Sequence, residues 1–83
     1  PAQAAAAIQL YPNPASNIFT VQSPESIRSI RVMDHTGRMV KEFAAINNNR
    51  MQITTEGLSR GIYYVQVMHT IGTQAVVKKL IIE

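Results

Sequence analysis

Groups able to do acid–base or metal chemistry are few and scattered along this 83-residue chain. His35 and His69 are the only imidazoles, and Glu25, Asp34, Glu42, Glu56 and Glu83 are the only side-chain carboxylates. A transition-metal centre needs three or four donors converging on one point, and the spacing of these residues promises no such convergence. Cysteine is absent, which removes disulfides and thiolate ligands together. No phosphate-cradling glycine loop, nucleophile elbow or calcium-loop spacing occurs. The expectation is a chain without catalytic residues, cofactor or metal. Both histidines are expected to be exposed, one in a turn and one at a strand end, with the acids solvating the surface beside turns.

The residues with the strongest local consequences are those that turn the backbone. Pro12 and Pro14 fix φ near −65° and remove two backbone donors, so Tyr11-Pro12-Asn13-Pro14 has no place in a central strand. Pro14 pushes Asn13 into an extended conformation, which leaves the Asn13 amide to bond a neighbouring loop. In Asp34-His35-Thr36-Gly37 the Asp34 carboxylate is placed to accept from N–H groups two and three residues on. Gly37 there supplies the positive φ that closes a hairpin. Asn47-Asn48-Asn49 reads as a wider connection, Ser59-Arg60-Gly61 as a tight corner, and Ile71-Gly72-Thr73 as a last hairpin turn joining antiparallel neighbours.

Between these turns the apolar residues recur with a period of two, not 3.6. Ile8 and Leu10 share a face of a short edge segment. Phe19 and Val21 alternate with Thr20 and Gln22. After a turn at Pro24-Glu25-Ser26, a new strand begins at Ile27 and carries Ile30 and Val32. Met39 to Phe43 and Met51 with Ile53 form two more. Tyr63, Val65 and Val67 oppose Tyr64, Gln66 and Met68, and a β-branched run from Gln74 to Ile82 comes last. About seven mostly antiparallel strands with turns every 8–12 residues or so predict an all-β chain folded as a small sandwich.

Composition sets the remaining bounds. A chain of this length makes one domain that buries roughly 60–65% of its unfolded surface. With 46% apolar and 16% charged residues it is globular in character. The alanine-rich residues 1–7 read as a linker or remnant ahead of a domain spanning 8–83. A net charge of +3 without a dense basic patch interleaved with aromatics argues against nucleic-acid binding. No apolar run approaches the roughly 20 residues that cross a bilayer as a helix. No signal peptide is recognisable at the start, so export would depend on a longer precursor.

Four segments in order carry a resemblance. They are Leu10-Tyr11-Pro12-Asn13-Pro14-Ala15-Ser16, Ile30 to Val40 with Asp34-His35-Thr36-Gly37-Arg38, Leu58-Ser59-Arg60-Gly61-Ile62-Tyr63-Tyr64-Val65, and Lys78-Lys79-Leu80-Ile81-Ile82. Together, over Ile8 to Glu83, they resemble the type A C-terminal sorting domain of the type IX (Por) secretion system. The resemblance implies an immunoglobulin-like β-sandwich and a non-catalytic sorting signal on cargo proteins of Bacteroidetes-type bacteria. It implies passage through the periplasm and recognition by an outer-membrane translocon and its shuttle protein. Cleavage by a sortase-like cysteine peptidase, with anchoring of the cargo at the cell surface, usually follows; the alternative is a retained adhesive or regulatory module. By position, Tyr11, Pro12, Asn13 and Pro14 open the domain, Asp34 and Gly37 make the central turn, and Gly61 and Tyr63 anchor the penultimate strand. Lys78, Lys79, Leu80, Ile81, Ile82 and Glu83 form the strand that the translocation machinery engages. The paired tyrosines depart from the pattern and leave one ring, that of Tyr64, facing solvent.

Overall fold

A computed structural model of the chain describes residues 8–72 and 74–83. The expected linker over residues 1–7 lies outside these residues, as does Thr73 of the last hairpin turn. The described chain contains no helix and six strands: β1 (Gln9–Tyr11), β2 (Ile18–Asp34), β3 (Met39–Phe43), β4 (Asn48–Thr54), β5 (Gly61–His69) and β6 (Ala75–Ile82). All strand pairings are antiparallel, in the order β1-β2-β5-β6 with β3 and β4 also on β2. β5 and β6 are antiparallel neighbours as the sequence predicts.

β2 organises the molecule. Its first half, Ile18 to Gln22, lies between β1 and β4, whereas its second half, Ile27 to Asp34, lies between β3 and β5. The sheet curls about this bent strand into the two layers of an immunoglobulin-like sandwich. Phe19, Val21 and Ile53 of one layer join Ile30, Val32, Val65, Val67 and Leu80 of the other in a single buried cluster. Each fully buried aliphatic or aromatic side chain there contributes about 1.5–3 kcal/mol of transfer free energy. The expected alternation holds on β5, where Tyr63, Val65 and Val67 are buried and Tyr64 is exposed.

The strand count is six instead of about seven because the expected turn at Pro24-Glu25-Ser26 is extended. Its backbone carbonyls bond to distant residues instead of closing a local turn. Ser23 Oγ accepts the Glu25 N–H at 3.2 Å, and the Asn49 side-chain amide donates to the carbonyls of Ser23 and Pro24 at 3.3 and 3.1 Å. The Thr70 N–H donates to the Ser26 carbonyl at 3.0 Å. Pairing slips between Gln22 and Ile27 against β4, and between Ile27 and Ser29 against β5. These bulges move the inward set from Phe19, Val21, Ser23 and Ile27 to Ile30 and Val32.

Two further expectations are corrected. Asn48 and Asn49 belong to β4, and the left-handed residues of the β3–β4 connection are Ala45 and Asn47, with φ of 55° and 49°. His69 is buried, against the expectation of two exposed histidines, because β5 turns it inward at the β2 bend. Its Nε2 shares a hydrogen bond of 2.7 Å with Ser23 Oγ.

Candidate functional site

Strand register brings the four resembling segments to one end of the sandwich. Asp34, the last residue of β2, stands opposite Tyr63, and Tyr63 stands opposite Leu80. Gly61, at the start of β5, stands opposite Ile82, and Ile82 forms a parallel bridge with Ala15. Residues up to 68 positions apart thus form one surface.

The central turn is built by Asp34. Its Oδ1 accepts from the Thr36 hydroxyl at 2.6 Å, the Thr36 N–H at 2.9 Å and the Arg38 N–H at 3.0 Å. The second amide therefore lies four residues on, not three, because Gly37, at φ 90°, swings the chain back before Arg38. Arg38 Nε lies 3.6 Å from Asp34 Oδ2. The Thr36 hydroxyl, followed by the two backbone amides and the Arg38 charge, holds the Asp34 carboxyl below its ordinary pKa of 3.8.

Beside this turn, the buried Tyr63 ring sends its hydroxyl to the Ser59 carbonyl at 2.7 Å and so pins the corner ahead of β5. Gly61 in that corner has φ 153°, a value that side-chain-bearing residues rarely adopt. A cavity of about 200 Å³ opens between the two turns, with Asp34, His35, Arg38, Arg60 and Tyr63 among its walls. Asp34 is half-buried and His35, Arg38 and Arg60 are exposed, and among the described residues no group of three or more His, Cys, Asp or Glu is placed to hold a metal ion.

The Tyr11–Ser16 segment packs on β6, the last strand, instead of on a loop. Asn13 Nδ2 donates to the Lys79 carbonyl at 3.1 Å, and Asn13 Oδ1 accepts the Ile81 N–H at 3.0 Å. The Ala15 N–H donates to the Ile81 carbonyl, and the Glu83 N–H donates to the Ala15 carbonyl, each at 2.8 Å. Pro12 and Pro14 have no N–H to offer, so the Asn13 side chain supplies what a strand residue supplies with its backbone. The role of Ala15, buried against Ile82, has no signal in the sequence beyond its small size.

β6 is an edge strand. Leu80 and Ile82 are buried in the core, Lys78 is half-buried, and Lys79, Ile81 and Glu83 are exposed. Only part of the sequence-assigned recognition strand therefore presents side chains outward. Odd-numbered residues of β6 direct their backbone groups away from β5, as the Asn13 and Ala15 bonds require. The expectation of an open edge is corrected from the Lys79 carbonyl to the Glu83 N–H, which the Asn13–Ala15 segment covers. Among the described residues, β6 from Ala75 to Val77 has β5 as its one strand neighbour. On the solvent face of these strands Ile62 lies opposite Ile81, Tyr64 opposite Lys79, and Gln66 opposite Val77. Four of these, Ile62, Tyr64, Val77 and Ile81, are exposed large apolar side chains. Among the described residues no helix is long and apolar enough to cross a membrane.

Residues 9–83 match the family described as the secretion system C-terminal sorting domain. No curated protein matches the chain. Among solved structures, the chain is similar to part of PorZ, an essential bacterial surface component of the type-IX secretion system of human oral-microbiomic Porphyromonas gingivalis. The TM-score is 0.79 at 17% sequence identity, over 99% of this chain and 12% of PorZ. At that identity the likeness to PorZ speaks for a shared fold. The match over 9–83, on an all-β sandwich whose four signature segments meet at one end, makes this chain a member of the C-terminal sorting domain family, a sorting signal for the type IX secretion system.

Proposed function

We propose that the end of the sandwich where the four segments meet is the surface read during export, and that β6 is its central element. The observation that carries this reading is the edge position of β6, where among the described residues the outward backbone groups of Ala75 and Val77 have no partner, beside the exposed side chains of Val77, Lys79 and Ile81. An edge of that kind accepts an added strand from a partner, main-chain bonds giving affinity and the alternating side chains giving selectivity. Lys79 protects the same edge from indiscriminate pairing.

On this reading residues 8–83 are the transferable unit and act without catalysis. The partners are the outer-membrane translocon and its shuttle protein, followed by a sortase-like cysteine peptidase that separates domain from cargo. The cargo passes through the periplasm and ends at the outer membrane, on the cell surface or outside the cell.

The test is a fusion of residues 8–83 to a periplasmic reporter in a bacterium possessing this secretion system. Surface display or release of the reporter is expected, and a reporter left wholly in the periplasm overturns the proposal. Removal of Lys79 to Glu83 is expected to trap the reporter before it crosses the outer membrane. Normal display of that truncated fusion would rule out β6 as the element read.

A further inference from the structure

Asn13 and Ala15 cover the same strand by different means, and the difference has a consequence. Ala15 sits in the core at 1% exposure and pairs through its backbone, so removing it opens the buried cluster. Asn13 is exposed, and both of its bonds to β6 are made by one side chain at the surface. Rotation about its χ angles frees the Lys79 carbonyl and the Ile81 N–H to water without disturbing any buried residue. Solvent-exposed bonds of this kind contribute little net stability, since water replaces them.

We infer that the Asn13 side chain is a releasable gate on the edge of β6, which occupies the pairing site in the free domain and swings aside for an incoming strand. This rests on the reading that a partner adds a strand to β6. With Asn13 seated, the outward backbone groups of β6 that no described residue covers are those of Ala75 and Val77 and the N–H of Lys79. With Asn13 released, that set extends to the N–H of Ile81, where the fixed bond from Ala15 to the Ile81 carbonyl ends it. The occupant is an extended peptide segment whose carbonyl and N–H take the places of Asn13 Oδ1 and Nδ2. Its backbone then continues along Val77 and Ala75. The gate shortens the edge offered to chance partners in transit and gives a committed partner the longer one.

Asn13→Ala tests this in two ways. In the isolated chain, hydrogen exchange of the Ile81 amide is expected to speed up about two- to tenfold, the change that the small net contribution of such a bond produces. The amides of Glu83, held by Ala15, and Leu80, held by β5, should keep their rates. An unchanged Ile81 rate overturns the gate. In the reporter fusion, Asn13→Ala is expected to be exported at least as fast as the parent fusion. Export lost by Asn13→Ala, while the parent fusion is exported and the variant remains folded, would mean that Asn13 itself is read, and the gate fails alone. A parent fusion that is not exported removes the functional reading and the gate with it.

Discussion

Ser23 Oγ and His69 Nε2 lie 2.7 Å apart inside the sandwich, joining the bend of β2 to the end of β5. Both residues are buried, and Ser23 also receives the Glu25 amide. This contact helps hold the long strand extended through Pro24, where the sequence alone calls for a turn.

Ser23→Ala therefore leaves a buried imidazole nitrogen without its partner. A loss of about 1–3 kcal/mol is expected, the usual cost of stranding a buried polar group. Urea denaturation of wild type and variant measures it. A change below about 0.5 kcal/mol, the range of surface substitutions, would mean that the bend is held elsewhere.

Most of the fold is legible in the sequence, and the failures share one physical origin. Strands β3 and β5, the Asp34 turn and the inward faces of Ile30, Val32, Tyr63, Val65 and Val67 follow from period and local turn chemistry. What does not follow is whatever depends on a bond to a distant residue. Pro24 and Ser26 look like a turn because nothing local reveals that Asn49 and Thr70 satisfy the carbonyls there. Ala45 takes a left-handed φ of 55° that its own side chain disfavours, next to Ile46, whose N–H bonds the Arg28 carbonyl at 3.1 Å. The same limit applies at the candidate site. The proline-flanked Asn13 announces a free amide, but only the fold shows that the amide closes the edge of β6.

The Asp34 turn should weaken in acid. Its carboxyl is depressed by the Thr36 hydroxyl, the two amides and Arg38, so its contribution is fully present above the unfolded value of 3.8 and is lost as pH falls from there through the folded pKa. Asp34→Asn has no charge to lose. Comparing denaturation midpoints at neutral pH with those at pH values below about 3.8 is expected to give a steeper acid loss for wild type than for Asp34→Asn. Equal acid sensitivity of the two would contradict the role given to the carboxylate.

Neighbouring residues on β6 should separate stability from recognition. Leu80 is fully buried, and Leu80→Ala is expected to destabilise the domain by about 2–5 kcal/mol through lost burial and a residual cavity. Ile81 points outward at 37% exposure, and Ile81→Ser is expected to shift stability by only about 0.5 kcal/mol. Export of the reporter fusion should nevertheless fall in Ile81→Ser, because it removes an apolar contact from the surface proposed to be read. Unimpaired export of a stably folded Ile81→Ser would take Ile81 out of that surface.

Val77 separates edge from face most cleanly. Its N–H points away from β5, so Val77→Pro deletes no bond of the β5–β6 ladder but removes a donor from the uncovered edge. The fold should persist, with any loss in stability coming from the fixed φ and the altered side chain. Val77→Thr keeps the donor and the β-branched shape while replacing a methyl by a hydroxyl on the solvent face. Strand addition requires that Val77→Pro lose export and Val77→Thr retain it, both variants being checked for folding by circular dichroism. The opposite pattern, with Val77→Pro exported and Val77→Thr blocked, would mean that the partner reads side chains on the sheet face and leaves the backbone edge unused.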